Sequence, residues 1–100
     1  MEFDKLVHQP TRLQIFAFLY RHGETTFPEL AESLGVTEGN LSSHLQKMET
    51  AGAVAVEKQF VDRKPQTTYE LTDTGREKFE EHVQTLETLI EGLADESSES

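Results

Sequence analysis

A single residue, Val36, separates a glycine placed to end one helix from a threonine placed to begin the next. Upstream, Thr26-Phe27-Pro28-Glu29 fits a capping box, with Thr26 as N-cap and Glu29 reaching back. Leu30, Ala31 and Leu34 then make a short apolar face, and Gly35 can take the left-handed conformation that closes a helix. Downstream, Thr37 caps a helix expected over about 38–51, with Leu41, Leu45 and Met48 at i, i+4 and i+7 and Gly52 closing it. Two helices with so short a joint cannot lie antiparallel. They must cross steeply.

A steep crossing of two such helices is the helix-turn-helix arrangement, and its packing asks for a small residue, a turn glycine and an early aliphatic. Ala31, Gly35 and Leu41 meet that demand. Before this unit, a helix opens at Pro10, a favourable first-turn residue, and stops at Gly23. Leu13, Phe16, Ala17 and Tyr20 form one of its stripes and Ile15, Phe18 and Leu19 another, so it is expected to be a buried central helix.

After Gly52 the apolar period changes from 3.6 to 2. Val54, Val56, Lys58 and Phe60 alternate with more polar neighbours, as do Thr67, Tyr69 and Leu71, around a turn-like Val61-Asp62-Arg63-Lys64-Pro65-Gln66. A helix-turn-helix followed by a hairpin is a winged helix. The fold class expected is therefore mainly α with a β-hairpin wing at about 60–67. Thr72 caps a last helix with Asp73 in its first turn. Its Phe79, Val83, Leu86, Ile90 and Leu93 are spaced 4, 3, 4, 3, a heptad seam suited to two-stranded packing. The seam either lies on the chain's own N-terminal helix or forms a dimer contact, shared with Phe3, Leu6 and Val7.

At 100 residues, 35% hydrophobic, the chain suffices for one small domain, read here as 1–93 with a dimerisation helix at 72–93. Residues 94–100 are read as an acidic disordered tail. The absence of cysteine excludes disulfides, a thiolate nucleophile and a Cys-based zinc site. With no long apolar run and no secretion signal at Met1-Glu2-Phe3-Asp4-Lys5, a cytoplasmic protein with no membrane partner is expected.

Here the sequence resembles a known family. Gln9-Pro-Thr-Arg-Leu-Gln-Ile-Phe, then Leu30-Ala-Glu-Ser-Leu-Gly-Val-Thr-Glu-Gly-Asn-Leu-Ser-Ser-His-Leu-Gln-Lys-Met-Glu, then Ala51-Gly-Ala-Val are similar to winged-helix transcriptional regulators of the MarR/ArsR type. Tyr69-Glu-Leu-Thr-Asp-Thr-Gly after the wing fits as well, and the likeness extends over about residues 6–93. Stand-alone proteins of about this length, common in archaea, are the nearest kind. The resemblance implies a homodimer joined through terminal helices that binds operator DNA, with the recognition helix (about 38–51) in the major groove. Its Ser-x-His-Leu pattern maps onto Ser42, His44 and Leu45, but Ser43 stands where many relatives carry a cation.

The residues agree with that implication. With Leu41, Leu45 and Met48 facing inward, Asn40, Ser43, His44 and Lys47 face outward, while Thr37, Gly39 and Ser42 lie at the end where free backbone N–H groups can meet phosphate. Asn can read adenine, and His and Lys can donate to guanine or phosphate. Arg63 and Lys64 at the wing tip suit the minor groove or its flanking phosphates. Arg12 either touches a phosphate or makes a contact within the chain.

The net charge of −10 pulls against double-stranded DNA as a partner. Yet Glu80, Glu81, Glu87, Glu91, Asp95, Glu96 and Glu99 fall in a C-terminal stretch without lysine or arginine. With a Debye length of about 8 Å at physiological ionic strength, local potential decides at contact range. Acidic residues numbering 19 against 9 basic ones are also a composition suited to a high-salt host. The alternative to operator binding is a winged helix used for protein–protein contact in transcription machinery. His8, His22, His44 and His82 show no metal-ligand spacing, although Glu81 and His82 on a dimer helix could meet a metal between subunits. No nucleophile–base–orienter set and no phosphate-binding glycine loop is present, so no catalytic residue, cofactor, metal or small-molecule substrate is expected, and no enzyme.

Overall fold

The computed structural model describes residues 3–98, and the side chains of residues 3–93. Its elements are α1 (Lys5–His8), α2 (Pro10–His22), β1 (Thr25–Thr26), α3 (Phe27–Leu34), α4 (Glu38–Thr50), β2 (Val54–Val61), β3 (Lys64–Leu71) and α5 (Asp73–Ser98). The antiparallel sheet has the order β1-β3-β2. This is the expected winged helix, with two small additions. Asp4 caps the four-residue α1, and the two-residue β1 pairs Thr25 and Thr26 with Tyr69 and Thr68.

The joint behaves as its residues require. Gly35 sits at φ 64° and its N–H donates to Ala31 O, closing α3 one residue before Val36. At the other end of α3, the Thr26 hydroxyl accepts from Glu29 N and donates to the Glu29 carboxylate, so the two side chains are coupled by a variant of the capping box. Ile15, Phe16 and Leu19 of α2 meet Leu30 of α3, Leu41, Leu45 and Met48 of α4, and Ala53 and Val54 at the start of β2. Each of these is at most 3% exposed. Burying one such side chain is worth about 1.5–3 kcal/mol, and this cluster fixes the crossing of α3 and α4. The Leu13–Phe16–Ala17–Tyr20 stripe of α2 is less complete than its pattern suggests. Ala17 is exposed and Tyr20 is only partly covered, because α5 lies over one side of α2 alone.

The wing departs from expectation at its tip. Residues 61–66 do not form a loop. The β2–β3 ladder runs on to Val61↔Lys64, leaving a turn of Asp62 and Arg63 at φ 52° and 66°. A two-residue hairpin turn needs both central residues at positive φ to match the strand twist. Neither is glycine, which removes the usual sequence signal and costs about 1–2 kcal/mol per residue. Pro65 is tolerated within β3 because it pairs with Phe60 one step beyond the hydrogen-bonded closing pair. Its nitrogen therefore faces the side where β1 no longer runs.

The heptad seam of α5 divides in two. Phe79 stacks on Phe16 at 6.2 Å and tilts against Tyr20 at 5.0 Å, so it belongs to the chain's own core rather than to an open dimer surface. Val83 and Leu86 are half-buried, whereas Ile90 and Leu93 are 63% and 55% exposed. Val7 is wholly buried, which removes it from a shared dimer contact, and the partly buried Leu6 packs against the core. Their hydrophobicity is used within the domain, where α1 bridges α2 and α5. The helix itself continues to Ser98, past the boundary at residue 94 that composition suggested, since no glycine or proline after Gly92 interrupts it. The rest of that tail, Glu99 and Ser100, lies outside the described residues.

Candidate nucleic-acid interface

Inward anchoring of α4 decides what its other side presents. Leu41, Leu45 and Met48 are 0–1% exposed, which leaves Asn40, Ser42, Ser43 and Lys47 open along the opposite face. Ser43 and Lys47 share a shallow depression with Gln46, Thr50 and Ala51. Gln46 and Thr50 are two polar groups that the sequence reading passed over. Their spacing of three and seven from Ser43 already placed them on its face.

At the N-terminus of α4, Thr37 Oγ1 accepts from Asn40 N at 3.2 Å, so that amide is already used. The amides of Glu38 and Gly39 are the ones left for an outside acceptor. Nothing lies within 4 Å of where a Cβ of Gly39 would sit, so the backbone there is approachable. The exposed Glu38 carboxylate stands at the same end and opposes a phosphate, while favouring the helix dipole.

His44 differs from the free outward residue expected. It is half-buried, and its Nδ1 lies 3.1 Å from Arg12 Nη1. The same guanidinium donates through Nε to Leu6 O at 2.7 Å and through Nη2 to Lys5 O at 3.3 Å. Arg12 therefore makes contacts within the chain, tying α1, α2 and α4 together. Burial holds the His44 pKa below its usual value, and the charges of Arg12 and Lys47 add to the effect.

A second histidine contact joins the chain ends. His82 on α5 is 2% exposed, and its Nε2 lies 3.4 Å from Nδ1 of His8, with Phe3 stacked on the His8 ring at 4.7 Å. This turns His82 into its own chain and away from the metal position between subunits that Glu81-His82 suggested. Among the described residues no group of three or more His, Cys, Asp or Glu is placed to hold a metal. Burial is the main cause lowering the His82 pKa, His8 adds to it, and Asp4 (paired with Lys78 at 3.4 Å) opposes it. The folded state thus binds fewer protons here than the unfolded chain. Its stability is full above the ordinary imidazole value of 6.5 and falls as pH drops below it. In urea melts, the loss of stability between pH 7.5 and 5.5 should shrink in His82→Phe. An undiminished pH response would place its origin elsewhere.

Arg63 and Lys64 are exposed at the wing tip, beside Val61 at 45% and Phe60 at 80% exposure. No helix among the described residues is long and apolar enough to cross a membrane. A helix-turn-helix with an open polar face on its second helix and a cationic wing defines a protein of the winged-helix class.

The comparisons agree. Residues 11–90 match the family described as winged helix DNA-binding domain, and the chain belongs to that family. The transcriptional regulator homologue of Pyrococcus horikoshii is 35% identical and superimposes with a TM-score of 0.83, over 88% of this chain and 87% of that one. An uncharacterised protein of Methanocaldococcus jannaschii is 30% identical over 89 residues, 89% of this chain and 97% of its own length. A putative MarR-family regulator of Enterococcus faecalis shares the fold at a TM-score of 0.76 and 24% identity, over 100% of this chain and 97% of that one.

Proposed function

We propose that the protein is a homodimeric transcriptional regulator that reads operator DNA, placing α4 in the major groove and the wing on the minor groove or backbone. The observation that carries this reading is the bare side of α4. Asn40, Ser42, Ser43 and Lys47 are held outward by a fully buried Leu41–Leu45–Met48 side, so they face a ligand without any rearrangement of the helix. Asn40 suits an adenine edge, and Lys47, Arg63 and Lys64 suit phosphates or guanine. Thr37 serves as the cap that orders the N-terminal amides, with Gly39 giving them clearance. His44 completes the set. The exposed Ile90 and Leu93 join two copies through α5, so that two recognition helices meet one duplex with half-sites about one helical turn apart.

Few cations reach the duplex, so the salt dependence of binding should be shallow for a regulator. Lys47→Glu combined with Arg63→Ala tests the reading on a pool of genomic fragments. Both positions are exposed, so the fold is retained while affinity falls at least about tenfold. Unchanged retention of DNA would leave protein–protein contact as the use of this face.

A further inference from the structure

We propose that Arg12 is a positioning residue for base recognition: it holds His44 in the tautomer whose Nε2–H points out as a donor, selecting guanine in the groove. The inference rests on α4 being the groove-facing helix and adds to it a specific chemical preference.

A guanidinium has N–H donors and no acceptor. Its 3.1 Å contact with Nδ1 therefore requires that nitrogen to carry the lone pair. The proton of a neutral imidazole must then sit on Nε2. Two observations keep the ring neutral and singly oriented. The site disfavours a proton on His44 through its burial and the Arg12 and Lys47 charges. The Arg12 guanidinium is held in place, because Nε and Nη2 donate to the Leu6 and Lys5 carbonyls.

The carbonyls of the four-residue α1 have no helix of their own to receive them, so they are open to Arg12. A lysine would supply a single cationic centre and could not hold three acceptors at these angles. His44 Nε2 takes part in no hydrogen bond among the described residues and is not among their enclosed polar atoms left unpartnered. It is the free end of the ring, on the helix that carries Asn40 and Lys47.

What a lone N–H donor selects follows from the base edges. Guanine offers two adjacent acceptors, N7 and O6; adenine sets an amino donor beside its N7, thymine offers O4 beside a methyl, and cytosine offers an amino donor that opposes the N–H, so guanine meets it best and cytosine worst. The opposite tautomer would reverse the preference, accepting from cytosine or from the adenine amino group. Arg12 thus decides which base His44 reads without touching DNA.

The test uses the full chain and three variants. Arg12→Met keeps an apolar stem but no donor, Arg12→Lys keeps the charge, and His44→Ala removes the reader. Imidazole nitrogen shifts at neutral pH should show the neutral His44 ring protonated on Nε2 alone in the wild type and its proton shared between the two tautomers in Arg12→Met. In site selection from a randomised duplex, the wild type should prefer guanine over cytosine about tenfold at one position per half-site. That preference should vanish in His44→Ala and in both Arg12 variants, while retention of non-specific duplex stays unchanged in Arg12→Lys, whose altered residue does not touch DNA. Combining Arg12→Met with His44→Ala should add nothing to His44→Ala alone. Proton occupancy on Nδ1 in the wild type, or full guanine preference in Arg12→Met, overturns the inference and leaves the regulator reading standing. A wild type that retains no DNA overturns both.

Discussion

Gly75→Ala is expected to destabilise the protein by about 3 kcal/mol and to lower its Tm by more than about 10 °C. Intrinsic helix propensity predicts the opposite sign, since alanine is favoured over glycine inside a helix by about 1 kcal/mol. Packing decides. Gly75 is buried in the first turn of α5, and a Cβ there would collide with Ala53 O and lie 2.9 Å from its carbonyl carbon. Both are backbone atoms, so no side chain can turn aside.

That backbone is also held from several directions. Ala53 O accepts from Thr72 N, Ala53 N donates to Met48 O, and the Thr72 hydroxyl donates to Gly52 O while accepting from Gly75 N. The extra methyl must therefore push α5 off the end of α4 or break this junction. Gly92→Ala is the control, because nothing lies within 4 Å of its added Cβ and propensity alone should act. Chemical denaturation of the two variants provides the comparison. A Gly75→Ala protein as stable as Gly92→Ala would mean that α5 does not meet Ala53 this closely.

The second large effect belongs to the far half of α5. Ile90→Glu with Leu93→Glu should convert the proposed dimer to a monomer and weaken the proposed operator binding by about a hundredfold or more. Ile90 and Leu93 contribute little within one chain, being 63% and 55% exposed, with Leu89 next to them at 39%. Carboxylates there leave the fold of the single chain intact and set like charges against each other across a paired seam. Loss of pairing makes the second half-site a separate encounter and forfeits the effective concentration that linkage supplies. Light scattering reads the mass directly. A double variant of dimeric mass would move the contact elsewhere, and a monomeric wild type would remove the two-fold arrangement altogether.

The heptad spacing of α5 also shows what a sequence leaves open. A 4, 3, 4, 3 spacing is one pattern along the whole helix, yet Phe79 faces Phe16 and Tyr20 while Ile90 and Leu93 face solvent. Periodicity states which side of a helix is apolar and is silent about what covers it. The wing tip failed for a different reason. Asp62 and Arg63 take conformations that ordinarily announce themselves by glycine, and the ladder beyond them compensates the cost.

What the chain's order of residues determined was local. The one-residue joint at Val36, the caps at Thr26, Thr37 and Thr72, the apolar spacing of α4 and the change of period after Gly52 settle the winged-helix fold and the bare side of its second helix. Each of these signals acts within a turn or two of backbone, where hydrogen bonding and burial repeat with a fixed period. Tertiary structure alone decided the pairings of Arg12 with His44, His8 with His82, and Gly75 with Ala53, whose partners lie 32, 74 and 22 positions apart. Those contacts depend on how α1, α4 and α5 stack around α2, and no short stretch of sequence contains both sides of them.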